Sequence, residues 1–255
     1  MLFTLCIPTM DRYDKYLSVN LFKYVENPLI SEIIITDENG NDIDKILQSN
    51  IDKTKLKLYK NKEVLGPFLN KVNACKLSTN EWIALIDSDN FADEDYFKLS
   101  QTYIENLISP KYDIISPSFA KPTYNFSYLS NNIITKNNLS SIAEIERQEC
   151  EKNDYSLNSS TTSILMNMGN YILNKSLITD INLDNEMKNM HYSCACDVIY
   201  FNTLLFEQLD LKFHVLAGLE YEHASDDSSI YRTTQHRYPL FNSMIQNRFF
   251  KLYSA

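Results

Sequence analysis

Glycine is almost missing from this chain. Four residues in 255, Gly40, Gly66, Gly169 and Gly218, lie far from one another. A Walker loop or a G-x-G-x-x-G turn needs several glycines close together so that backbone can approach phosphate. P-loop NTPases and Rossmann dinucleotide enzymes are therefore excluded. No block of lysine and arginine occurs, and the formal net charge is −9. A nucleic-acid partner would demand a basic face, so none is expected. A nucleotide ligand stays open, because a divalent cation can supply positive charge locally. No apolar stretch reaches the roughly 18–20 residues of a transmembrane span, and the first residues run into a strand-like segment with no basic leader. The expectation is a soluble, cytoplasmic protein. The five cysteines are odd in number and lack a framework spacing. Cys194 and Cys196 form a C-x-C, too sparse for a zinc site without partner ligands nearby. Buried free thiols in a reducing compartment are expected instead.

What is present is concentrated in Trp82-Ile83-Ala84-Leu85-Ile86-Asp87-Ser88-Asp89-Asn90. Five apolar residues end in two carboxylates spaced i, i+2. So short a run, bounded by polar residues, reads as a buried strand. Its acids then sit where the strand leaves the sheet, the place where open α/β sheets bind ligands. Two hard oxygen ligands there suit Mg²⁺ or Mn²⁺ carrying a phosphate. An Asp-rich turn followed by a helix cap explains the same residues equally well.

Around this segment strand and helix signals alternate. Strands are expected at 2–7, 32–36, 56–59 and 82–86, with a fifth beginning at Ile114-Ile115; helices are expected at 11–25, 42–47, from Gly66-Pro67 to about Leu77, and 93–107. This β-α-β-α order implies an α/β fold with a mostly parallel central sheet flanked by helices. Residues 121–163 are polar, rich in Asn and Ser and weakly periodic, and are expected to form an irregular insertion with one helix near 141–151. A strand at 162–168, a helix at 191–207 with Cys196 and Asp197 in its first turn, a strand at 212–216 and an extended piece at 220–223 follow. The aromatic tail 240–253 is amphipathic; packing on the core or on a second subunit, as in a homodimer, is preferred over a membrane surface because its basic face is thin.

Four separated features then occur in one order: the strand-end Asp87-Ser88-Asp89, the Gly169-Asn170 loop, Asp197 opening a helix, and His223 near the C-terminus. That order resembles the nucleotide-sugar glycosyltransferases of the GT-A fold, especially the inverting family-2-like members. Cys6-Ile7-Pro8-Thr9 resembles their first strand running into Pro-Thr, and Ile34-Ile35-Thr36-Asp37 their second strand ending in Asp. The likeness covers 1–120 well and 160–232 loosely. It implies one GT-A domain over 1–255, with a nucleotide-sugar-binding half (1–120), the insertion (121–163) and an acceptor and catalytic half (164–255).

The resemblance also implies roles. Asp89 and His223 would ligate Mn²⁺ or Mg²⁺ bridging the donor diphosphate, a Lewis acid for loss of the leaving group. Asp87, with Ser88 beside it, would lie on the nucleotide side, contacting ribose or a metal-bound water. Thr9 and Asp37 would hold the nucleobase and ribose, although an Asx turn accounts for Asp37 nearly as well. Asn73 resembles the family's helix asparagine, with Asn70 available in another register. Gly169-Asn170 would let backbone approach the donor sugar or the acceptor. Arg232 is a candidate phosphate clamp. Asp197 would be the general base that deprotonates the acceptor; Ala195 and Cys196 precede it where the family carries Glu, and a helix N-terminal Asp is the alternative. Among the other histidines, His214 lies inside a strand pattern, His191 matches less well, and His236 could touch phosphate. The implied reaction moves a sugar from a nucleotide-diphosphate sugar, UDP-linked by family frequency, to a hydroxyl of a glycan, lipid-linked or protein acceptor, with inversion. A retaining glycosyltransferase, a sugar-phosphate nucleotidyltransferase and an inactive glycan-binding module are the rivals.

Overall fold

A computed structural model describes residues 1–153, 163–183, 197–224 and 238–253. Strands β1 (Phe3–Thr9), β2 (Ile30–Asp37), β3 (Leu56–Lys60) and β4 (Trp82–Leu85) are mutually parallel, in the spatial order β3-β2-β1-β4. Every residue of β1 and β4 is buried, which is the pattern of strands covered on both faces. The crossovers carry helices α1 (Ser18–Glu26), α2 (Asn41–Gln48) and α3 (Pro67–Lys76), and α4 (Glu94–Ile104) follows β4. Gly66 has φ +81°, where a side chain would be strained, and Pro67 then occupies the first turn of α3. Asp93 caps α4 by accepting from the Tyr96 N–H at 3.0 Å.

The second half completes a mixed sheet. It supplies β5 (Asp113–Lys121), β6 (Tyr124–Asn125), β7 (Ile133–Ile134), β8 (Tyr171–Asn174) and β9 (Lys212–Glu222), together with helices α5 (Leu139–Lys152), α6 (Ile164–Asn167), α7 (Ser176–Thr179), α8 (Val198–Gln208) and α9 (Pro239–Tyr253). The strand order is β3-β2-β1-β4-β8-β5-β9-β7, with β6 paired to β5. One cluster of buried side chains runs through both halves, from Phe3 and Phe97 to Tyr171, Phe213 and Phe249. Among the described residues no helix is long and apolar enough to cross a membrane. Cys6, Cys75 and Cys150 are buried; Cys194 and Cys196 lie outside the described residues.

Several elements differ from the expectations. The run 162–168 was expected as a strand, but Ile164–Asn167 is a short helix and the strand is Tyr171–Asn174. A short apolar run does not distinguish a buried strand from a buried helical turn; here Glu146 Oε1 accepts from the Ile164 N–H at 2.8 Å and starts the turn. Residues 11–25 divide into a π-helical turn, Tyr13–Leu17, and α1. The pieces expected at 212–216 and 220–223 are one strand, β9, with Gly218 at φ +73° near its register shift against β5. Residues 121–138 are not irregular throughout, since β7 pairs with β9 at the sheet edge. The helix expected at 191–207 is described from Val198, with Asp197 as its N-cap. The tail packs on the core, where Arg248 meets Glu207 in a fork at 2.6 and 3.0 Å.

The topology collects one end of the sheet. Thr9 lies opposite Asp37 where β1 and β2 end. Across the antiparallel β4–β8 pair, Leu85 faces Tyr171, so the chain before Tyr171 borders the chain after Leu85. Beyond the acids Phe91 and Glu222 exchange two backbone hydrogen bonds, at 3.0 and 2.8 Å, which brings the end of β9 to the same rim.

Candidate active site

The site has two poles. At the corner of β1 and β2, Asp37 is fully buried and accepts from the N–H groups of Asn39 at 3.3 Å and Ile43 at 3.0 Å, an Asx turn that starts α2. Burial pushes its carboxyl above the usual range, outweighing the stabilising N–H donors. Thr9 donates its hydroxyl to Asp42 at 2.5 Å, and Asp42 also accepts from the N–H groups of Arg12 at 3.0 Å and Tyr13 at 2.9 Å. Asp42, not singled out from sequence, organises the β1–α1 loop from the first turn of α2. Of the two asparagines in contention, Asn70 is buried and donates to the Thr36 carbonyl at 3.1 Å, while Asn73 donates to Asn61 at 3.2 Å.

At the other pole, past the end of β4, Asn170 grips Asp87 twice. Its Oδ1 accepts from the Asp87 N–H at 2.5 Å and its Nδ2 donates to Asp87 Oδ2 at 3.0 Å. Gly169 permits this loop to lie under α8, because a Cβ there would stand 2.5 Å from Val198 Cγ2. Lys71 of α3 places its ammonium 2.9 Å from Asp87 Oδ1 and 3.3 Å from Asp197 Oδ2. Burial alone would push this lysine's pKa down; the two carboxylates more than reverse that and hold it charged. Asp197 also accepts from the Val198 N–H at 2.8 Å. Lys71 was missed from sequence, yet a signal existed. It sits on the stripe Phe68, Lys71, Val72, Cys75, the buried face of α3, where an unpaired lysine would be costly.

Ser88 is buried, and Asp89 stands beside Asp87 with its Oδ2 3.7 Å from Arg12 Nε. Arg12 thus links the poles: its N–H serves Asp42 and its guanidinium faces Asp89. Burial, then the like charge of Asp87, push the Asp89 carboxyl up to about 6, with Arg12 pulling the other way. His223 stacks edge-on against Tyr124 and Tyr221, at 5.3 and 6.3 Å between ring centres. Burial keeps its imidazole pKa below the ordinary value, against the pull of Asp87, and its buried Nδ1 has no hydrogen-bond partner among the described residues. His214, by contrast, is a satisfied core histidine, 2.8 Å from Asp113 and 3.0 Å from the Tyr103 hydroxyl. Arg232, His191 and His236 lie outside the described residues.

The rim therefore combines carboxylates from β4 and α8, a buried ammonium between two of them, and a neutral imidazole. Such a set can hold a cation, orient hydroxyls and accept a proton. Comparison with solved structures finds the same fold in S. aureus TarS. TarS 1-349 in complex with UDP-GlcNAc matches with a TM-score of 0.66 at 16% identity, over 99% of this chain and 66% of that one. TarS 1-349 in complex with UDP matches at 0.61 and 16% identity, over 99% and 70%. A longer TarS structure matches at 0.59 and 16%, and the chain spans 43% of its length. A comparison with curated proteins gives no match. Residues 4–168, more than half of the sequence, match Glycosyl transferase family 2, and the chain belongs to that family.

Proposed function

We propose that this protein transfers a sugar from a UDP-sugar to an acceptor hydroxyl with inversion at the anomeric carbon. One observation carries the reading: Asp197, 108 or more residues away from the strand-end acids, reaches the same buried ammonium as Asp87. In this reading Asp87 and Ser88 face the nucleotide, and Thr9, Asp37 and Asn73 support the base and ribose side. Asp197 takes the acceptor proton as the hydroxyl attacks in line; its carboxylate is 27% exposed, open enough to meet a hydroxyl. The UDP assignment is supported by the similarity to a fold solved with UDP-GlcNAc and with UDP.

The residues present fit a divalent ion. His223 has an orphaned, buried Nδ1 and an imidazole whose pKa burial lowers, and Asp89 carries a carboxylate burdened by desolvation and by its neighbour's charge. Among the described residues no three His, Cys, Asp or Glu side chains already converge as a full ligand set. Asp89 and His223 would hold Mn²⁺ or Mg²⁺. When bound, the ion supplies Lewis-acid stabilisation of the departing diphosphate. Calorimetric titration with UDP, with and without Mn²⁺, tests the reading. Metal-dependent binding that disappears in Asp89→Asn is expected; absence of UDP binding under either condition would overturn it.

A further inference from the structure

We infer that Lys71 is a positioning residue that fixes the Asp197 carboxylate against the strand-end acid Asp87, so that the acceptor side of the site is held in register by the donor side. This rests on the reading of Asp197 as acceptor base. The geometry is one-sided. The Lys71 side chain is 5% exposed, whereas Asp87 and Asp197 are 28% and 27% exposed. The ammonium lies beneath the two acids and leaves their outer faces to ligands. Asp197 needs such a tie. As an N-cap its Oδ1 accepts, among the described residues, from the N–H of the next residue, a local bond that moves with its own helix and does not aim the carboxylate at β4. Its Oδ2 meets Lys71, which belongs to α3. The registry of α3 on α8 is fixed one turn earlier, where Phe68 packs edge-on against Tyr200 and Phe201 at 5.4 and 5.7 Å between ring centres. Asn170 holds Asp87 through both its backbone N–H and the Oδ2 that Lys71 also meets, so the lysine's other anchor is itself fixed. A buried cation shared by two carboxylates from distant segments ties them together, since each acid released removes part of the compensation that burying the ammonium requires.

The test is a double-mutant cycle on the full chain with Lys71→Met, Asp197→Asn and the pair, and with Lys71→Arg as the conservative variant. Lys71→Met should lower kcat on the order of 10–100-fold, a fraction of what a general base contributes. In the Asp197→Asn background the same change should alter kcat by less than about 3-fold, because the lysine acts through the acid. Lys71→Arg should recover part of the loss. Multiplicative effects in the double variant would overturn the inference. The cycle is also read in thermal unfolding, which needs no turnover: non-additive Tm shifts support the tie and additive ones sink it. Loss of transfer in the unmodified chain, or full turnover in Asp197→Asn, would instead defeat the parent reading while the Tm cycle still judges the tie.

Discussion

The two poles of the site treat their carboxylates in opposite ways: the corner buries them completely, and the rim leaves Asp89 27% exposed. At the β1–β2 corner Asp37 and Asp42 are fully buried and receive at least two donors each, mostly backbone N–H groups. At the β4–β9 rim Asp89 faces Arg12 at 3.7 Å with one backbone N–H, its own, also serving its carboxylate among the described residues, and His223 keeps a buried nitrogen without a partner among them. A buried polar group with all its bonds made rigidifies a loop; one left short is an invitation to a ligand. The corner is therefore scaffold that presents the crevice, and the rim is where chemistry is expected.

The largest way to break that contrast is Asp197→Asn. Transfer should fall by roughly 10²–10⁴-fold in kcat, with UDP affinity nearly unchanged, as steady-state assays and calorimetry would show. An equally large change in UDP affinity would mean that Asp197 belongs to the donor side instead. Next in size, Asp42→Ala should lower stability by about 3 kcal/mol in urea unfolding, because it strands the Thr9 hydroxyl and two backbone N–H groups. Asp89→Asn should leave unfolding nearly unaffected, and a loss as large as that of Asp42→Ala would erase the distinction between scaffold and rim.

Glu146 sharpens the comparison at a third place. It is buried between α6 and α9, accepting from the Ile164 N–H at 2.8 Å and the Tyr253 hydroxyl at 3.2 Å, yet burial still pushes its carboxyl up to about 7. Because the folded value lies above the unfolded one, the folded state binds the extra proton, and this group's contribution falls as pH rises from about 4.5 to 7. Unfolding at several pH values should show the unmodified protein losing roughly 2–4 kcal/mol relative to Glu146→Gln across that window. A flat difference would mean that two donors suffice to saturate a buried carboxylate here. The smallest effect is expected for His223→Ala. It should weaken Mn²⁺-dependent UDP binding by about tenfold, the lower end for loss of metal-site support, and shift Tm by less than about 2 °C.

How much of this was legible varies by residue. The strand before Asp87 was, because five apolar residues admit few other fates, and the pair of acids marked its end. The start of α3 was as well, since Gly66-Pro67 is a strong local signal. The turn at Ile164–Asn167 was not, because a short apolar run is ambiguous until Glu146, 18 residues earlier, supplies its first cap. Asp37 remained balanced between ligand contact and Asx turn. The structure gives its oxygens to Asn39 and Ile43, a local arrangement that nonetheless required α2 to begin where it does. Lys71 carried a signal that only periodicity could expose, and its partners were beyond reach: Asp87 and Asp197 lie 16 and 126 residues away along the chain.

The sequence by itself determined the alternating α/β order, the exclusion of glycine-rich phosphate loops, and the presence of two acids at a strand end, since these follow from composition and from contacts between near neighbours in the chain. Tertiary structure alone decided which acids are saturated and which are left open. That outcome depends on donors delivered from distant segments: Asn170 across an antiparallel pair, Lys71 from a packed helix, and the end of β9 bridged to Phe91. Hydrogen-bond satisfaction is a property of the assembled rim, and no window of sequence contains it.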